Sequence, residues 1–190
     1  MITPTGFVIH RLLVEYPDLR PLVLPPQLIE AVQSLLGADA RLEILGTVVT
    51  DRRRPFFEWH THIDGTDESE RYRAGVWPKI DRLRRIFTLL YLDDVDADGG
   101  PVLVMPRRVG DSCRPPYDIH QQRWPNDVEI RPAAGTMIVI DECTWHAVMP
   151  MLRDGERIFV GAYFAAGDTP PAGWADPSLS SVPLTSLAAG

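Results

Sequence analysis

Two histidines and one carboxylate in this chain are spaced so that they can share a metal ion. His62 and Asp64 stand two apart in Trp59-His60-Thr61-His62-Ile63-Asp64, and His146 follows far downstream in Cys143-Thr144-Trp145-His146. Two imidazoles and a carboxylate on one face of a ferrous ion leave its other positions open for reactants, which suits oxidation chemistry at non-heme iron. Residues two apart on a strand point to the same side, so His62 and Asp64 face inward together while Ile63 points away. His146 then has to arrive on a second strand. His60 lies two residues before His62 and shares its side by the same rule, so it competes for a place in the set; orienting a ligand is the role its position favours. Cys113 and Cys143 are too far apart in the chain to suggest a thiolate site.

Iron needs a supply of electrons to activate O2. A common supplier is 2-oxoglutarate, whose keto-acid end chelates iron and whose distal carboxylate calls for a cation deep in the pocket. Arg157 stands eleven positions after His146, on the strand expected after the Arg153-Asp154-Gly155-Glu156 turn. Its planar guanidinium can grip a carboxylate through two parallel hydrogen bonds.

These side chains need a scaffold of short strands. Runs from Leu42 to Thr50, Phe56 to Asp64, Ile86 to Leu92, Val102 to Met105, Val128 to Arg131, Thr136 to Ile140 and Ile158 to Phe164 are rich in β-branched and aromatic residues, with turn chemistry between them. Asp93 to Pro101 and Arg153 to Glu156 read as hairpin connections. The stretch from Pro25 to Leu36 predicts a helix with Leu28, Val32, Leu35 and Leu36 on one face and Gly37 as its stop. The expected fold is mostly β with helical support, a small barrel or jelly roll. Residues 66–85 show no strand pattern and read as a lid-like insertion, with a short helix expected from Pro78 to Arg85; residues 165–190, rich in Pro, Ala, Ser and Gly, read as a loosely ordered tail.

Composition limits the alternatives. At 190 residues the chain fits one domain, 1–190, large enough to bury roughly 70% of its unfolded surface. With 45% hydrophobic and 24% charged residues it has the make-up of a globular protein, and no apolar run approaches the roughly 20 residues of a membrane helix. A net charge of −7 argues against a nucleic-acid partner. The first residues carry no basic and apolar leader pattern, so a reducing cytoplasm without disulfides is the expected setting. Lys79 is the only lysine. The arginine groups at 52–54, 71–85 and 107–108 read mainly as solvated faces, and the last two lie where a pocket mouth is expected, which leaves an anionic small molecule as one reading of the substrate.

In the order of its pieces the chain resembles the phytanoyl-CoA dioxygenase family of Fe(II)/2-oxoglutarate-dependent oxygenases, from about Leu24 to Phe164. The resemblance is carried by His62-Ile63-Asp64, by Leu90-Tyr91-Leu92-Asp93-Asp94 leading through Asp98-Gly99-Gly100-Pro101 to Val102-Leu103-Val104-Met105-Pro106, by Ala134-Gly135-Thr136 through Asp141 to Trp145-His146, and by Arg157. It implies a double-stranded β-helix, of the jelly-roll or cupin-like type, with His62, Asp64 and His146 on iron and Arg157 on 2-oxoglutarate. It further implies a small-molecule oxidation, with O2 consumed and succinate and CO2 released, possible as a step of secondary metabolism. A carboxylate at Asp64 occupies the position that halogenating relatives leave to halide, so hydroxylation is favoured. The chain departs from the family where Arg107-Arg108-Val109-Gly110 follows Pro106, and where Val148 stands in place of a small hydroxyl residue. Two other readings compete: a cupin-type metal enzyme built around His60-Thr61-His62, and a jelly-roll binding module without turnover.

Overall fold

The computed structural model describes residues 6–63, 68–180, 183, 184 and 186. Among the described residues nine strands form two antiparallel sheets. The larger contains β1 (Phe7–His10), β2 (Arg41–Asp51), β4 (Arg85–Tyr91), β7 (Met137–Asp141) and β9 (Glu156–Ala165), in the order β1-β2-β9-β4-β7. The smaller contains β3 (Phe57–His60), β5 (Val102–Val104), β6 (Val128–Ile130) and β8 (His146–Val148), in the order β3-β8-β5-β6. The chain alternates between them: β4 to β5 and β8 to β9 each cross from one sheet to the other. The segments Asp93 to Pro101 and Arg153 to Glu156 are therefore crossovers, not hairpins, because the strands they join pair with other partners. Their acidic residues tie the crossovers down: Asp93 accepts the Ile158 N–H at 3.0 Å and Asp94 accepts that of Ala134 at 2.8 Å.

Alternation along each strand separates two environments. In the large sheet Ile44, Gly46 and Val48, Phe87, Leu89 and Tyr91, and Phe159, Gly161 and Tyr163 face the space between the sheets. The intervening Leu42, Leu45, Val160, Ala162 and Phe164 face a helical layer. That layer includes α1 (Leu12–Glu15), α2 (Arg20–Val23) and α3 (Pro26–Leu36), with α5 (Pro177–Ser180) adding Leu179. Helix α3 starts on two prolines, whose fixed φ suits a first turn, and ends at Gly37, whose φ of 100° a side chain would resist. Its buried face is Leu28, Ile29, Val32 and Leu36; Leu35, expected inside, is exposed, and Ile29 takes its place.

The outer face of the small sheet has its own core. Trp59 stacks on Trp124 with ring centroids 4.1 Å apart, and Trp145, Leu103 and Ala147 complete the cluster. The connection from β5 to β6 covers it and is pinned by indole N–H donors: Trp59 to Gln121 O, Trp124 to Asp118 O and Trp145 to Cys113 O. Burying an indole requires such a partner, so the three tryptophans fix this loop as well as fill the core. Trp77 packs on Trp145 at 5.4 Å and is not part of the lumen wall.

Within the expected insertion the helix is α4 (Glu68–Ala74), not the Pro78 to Arg85 stretch. Arg85 instead opens strand β4, paired with Ala165, because its guanidinium is drawn into a buried ion-pair cluster. Cys113 and Cys143, distant in sequence, are both buried and free and lie in one apolar cluster with Ile63 and Ile80. No described helix is long and apolar enough to cross a membrane.

Candidate functional site

Between the sheets lies a cavity of about 490 Å3. Its lining is largely aliphatic and aromatic, and its polar side chains are His60, His62, His146, Arg54, Tyr91 and Tyr163.

Strand pairing brings the histidines together. His60 on β3 lies opposite His146 on β8, and both side chains line the lumen together with His62. The register shifts by one residue between Phe57 and His60, and both of these still face inward. His62 sits just past β3, its backbone N–H donating to Glu142 O at 2.9 Å. A ligand nitrogen from each of His60, His62 and His146 lies within 4.8 Å of the others. Asp64 falls outside the described residues.

Hydrogen bonds set the two well-defined tautomers. His60 Nδ1 lies 2.8 Å from Glu58 O and His146 Nδ1 lies 3.0 Å from Thr144 O. A carbonyl only accepts, so both Nδ1 atoms carry the proton and both Nε2 lone pairs are free, the usual arrangement behind a metal-bound imidazole. Tyr163 Oη lies 3.1 Å from His62 Nε2. Burial pushes the Tyr163 phenol well above its ordinary range, so it remains a neutral hydroxyl that donates or accepts according to the His62 tautomer. Burial also lowers all three histidines, His60 and His62 far below 6.5 with help from the charge of His146, and His146 to about 4. At neutral pH the cluster is uncharged and able to take a cation.

The turn that delivers His146 is braced by Asp141. Its carboxylate accepts from the Cys143 N–H at 2.7 Å and from Thr144 Oγ1 at 2.5 Å, and Arg107 clamps it from outside at 3.1 Å. Arg107, expected as a solvated charge, is thus engaged in holding this turn.

Arg157 lies opposite Thr50 on β9 and is only 2% exposed. Its guanidinium donates to Gly100 O, while its Nε has no partner among the described residues. Burial depresses its pKa, an effect that the Tyr91 hydroxyl opposes. Gly100 is required at this contact: its φ is +76°, and a Cβ there would lie 2.7 Å from Arg157 Nη1 and 2.8 Å from Met149 O. Gly100→Ala is expected to lower stability by about 2 kcal/mol or more through backbone strain and the clash. Gly161→Ala serves as the control in the same thermal melts, because a Cβ at Gly161 would meet nothing nearer than 3.8 Å. Equal melting temperatures for the two variants would refute the assignment.

The residue that sequence reasoning missed is Arg54. It follows two exposed arginines that are already paired, Arg52 with Asp154 and Arg53 with Asp51, but it turns into the lumen and lies over Phe57 at 4.6 Å. Its place in a run of three arginines gave no signal of this.

Two facing antiparallel sheets that enclose a lumen with a histidine cluster constitute a double-stranded β-helix. Its solved counterparts include HygX from Streptomyces hygroscopicus with nickel and 2-oxoglutarate bound, at 15% identity and a TM-score of 0.64 over 89% of this chain and 73% of that one. AviO1 from Streptomyces viridochromogenes Tue57 matches at 17% identity and 0.65, over 87% and 69%. SnoK, a non-heme α-ketoglutarate-dependent carbocyclase from nogalamycin biosynthesis, matches at 18% and 0.62 over 85% of this chain, which spans 64% of SnoK. No protein-family model and no curated sequence matches the chain. At these identities the likeness establishes the shared fold, whose solved examples include iron- and 2-oxoglutarate-dependent enzymes.

Proposed function

We propose that the protein is an Fe(II)/2-oxoglutarate-dependent oxygenase that oxidises a small molecule, with hydroxylation as the favoured outcome. The observation that carries this reading is one apolar lumen that holds a cluster of uncharged imidazoles and the Arg54 guanidinium, with buried Arg157 behind its wall and no carboxylate paired with either arginine among the described residues. The first suits a divalent cation and the second an anion. A 2-oxo acid with a distal carboxylate needs both.

In this reading His62, Asp64 and His146 hold the iron, and Arg157 serves the distal carboxylate of 2-oxoglutarate. Iron with its cosubstrate supplies O2 activation, coupled to decarboxylation to succinate and CO2. The protein's own groups do the rest. Glu58 O and Thr144 O hold the Nδ1 protons of His60 and His146, keeping each Nε2 free as a donor to the metal. Phe87 packs edge-on against His62 at 4.6 Å and beside His146 at 4.9 Å, and this ring keeps water from the histidines. Structural likeness to SnoK, from nogalamycin biosynthesis, supports a role in secondary metabolism. An anionic substrate has less support, because Arg107 is committed to Asp141 and the lumen wall is mainly apolar.

A second reading follows from the tautomers. His60 is held for ligation in the same way as His146, so a three-histidine metal set of the cupin type competes with the set containing Asp64. An anaerobic titration tests the leading reading. Ferrous protein is expected to develop a visible charge-transfer band on addition of 2-oxoglutarate, and succinate is expected once O2 is admitted. Iron-loaded protein that shows neither would refute it.

A further inference from the structure

Arg54, not Arg157, presents a guanidinium to the lumen. Arg54 belongs to the cavity wall, whereas Arg157 lies behind it against Gly100 O. The two are close enough for the charge of Arg157 to add to the effect of burial, which together bring Arg54 down to about 10. Arg54 lines the same cavity as His60 and lies over Phe57, whose ring packs edge-on against His60 at 4.5 Å. Its Nε, like that of Arg157, is buried without a partner among the described residues. Two adjacent buried cations with no carboxylate partner among the described residues form an unfavourable arrangement unless an anion occupies the space they share.

The spacing fits a short dicarboxylate. Phe57, Val148 and Val102 form a lumen-facing row beside the histidines: Val148 and Val102 stand two residues from His146 and Val104, about 7 Å at strand rise, and Phe57 stands three residues from His60 across the register shift. Arg54 lies over Phe57, the first member of the distant row. The other two members of that row are valines and offer no hydrogen bond. Apart from the histidines and Tyr163, the polar groups of the lumen wall are Arg54 and the Tyr91 hydroxyl, the latter close enough to both arginines to be influenced by their charges.

We propose that Arg54 is the residue that reads the distal carboxylate of the cosubstrate, with Arg157 behind it as a second cation that holds the shared anion site. This rests on the 2-oxoglutarate reading above and adds to it a cosubstrate-specificity residue. Arg54 acts by direct contact, so its removal should be felt only by 2-oxo acids that carry a second carboxylate.

The test compares 2-oxoglutarate with pyruvate, which has the keto-acid end and no distal carboxylate. Dissociation constants are measured by anaerobic titration of Fe(II)-loaded wild type, Arg54→Gln, Arg54→Lys and Arg157→Gln, with folding checked by circular dichroism. Wild type is expected to prefer 2-oxoglutarate. Arg54→Gln is expected to weaken 2-oxoglutarate by about tenfold or more while leaving pyruvate within about twofold, since a charge-assisted pair is lost only for the longer acid. Arg54→Lys should recover part of the preference. An unchanged preference in Arg54→Gln, together with its loss in Arg157→Gln, would overturn the inference and leave the oxygenase reading standing. Failure of wild-type iron protein to bind either acid would overturn both. Equal weakening of both acids in Arg54→Gln would assign Arg54 to general packing and also overturn the inference.

Discussion

His146→Ala protein is expected to lose ferrous-ion binding at concentrations that saturate the wild type, and with it succinate formation. Loss of a group that merely orients a metal ligand costs about 10–100-fold in affinity, so loss of the ligand itself should exceed roughly 100-fold. His146 is buried, its Nδ1 proton is fixed by Thr144 O and its Nε2 faces the lumen beside His60 and His62. The same titration separates the two metal sets. If His60 only orients, His60→Ala should lie within the 10–100-fold range while Asp64→Ala matches His146→Ala. If the set is three histidines, His60→Ala should match His146→Ala and Asp64→Ala should bind nearly as wild type. Full iron binding by His146→Ala would exclude both sets.

Arg85→Met should be the most destabilising single change in the large sheet. Arg85 is 1% exposed; its Nε lies 2.6 Å from Glu43 and its Nη1 3.0 Å from Glu142, both fully buried carboxylates. A further bond runs to Pro170 O at 3.0 Å. Removing the shared cation leaves two buried carboxylates with Arg41 at 3.5 Å and the Ala172 N–H at 3.3 Å from Glu43, and Arg84 at 3.0 Å from Glu142, as their remaining partners among those described. Breaking a buried pair in this way costs about 3–5 kcal/mol, which at roughly 2–4 °C per kcal/mol for a chain of this size lowers the melting temperature by about 6–20 °C. Replacing Glu43, Arg85 and Glu142 together by Met should recover much of that loss, because the charges then leave the interior as a set. Thermal melts of the single and triple variants decide it. A single variant that melts with the wild type would show that the cluster contributes nothing. The cluster also supports the site: Glu142 O accepts the His62 N–H and Glu142 N donates to Arg85 O.

Much of this arrangement was legible in the chain. Enrichment in β-branched and aromatic residues between turn signals located Ile158 to Phe164 and Ile86 to Leu92, two of the strands that wall the lumen, since residue preference is a local property. The strands at 7–10 and 146–148 are too short, and the first too close to the start of the chain, to stand out by pattern. Beyond Ala165 the chain was expected to be loose, yet Asp176 N–H donates to Glu43 O and Leu179 is buried. Small apolar residues spaced by prolines give no periodic signal, although they can cover a sheet.

The sequence alone determined the residue types and their order along the chain: the histidine spacing at 60–62, His146 after Cys143-Thr144-Trp145, Gly100 in the turn-rich run that precedes Val102, and Arg157 eleven positions after His146. These are local facts, set by strand parity and turn chemistry. Only the tertiary structure decided that His60 meets His146 across a shifted register, and that a register shift between Leu42 and Ile44 falls at Glu43, which meets Arg85. It also decided that Arg54 turns inward while Arg52 and Arg53 stay in solvent. Each of these depends on which strand lies beside which and on a one-residue offset in pairing. Such an offset reverses the face of every following side chain, and nothing within a single strand encodes it.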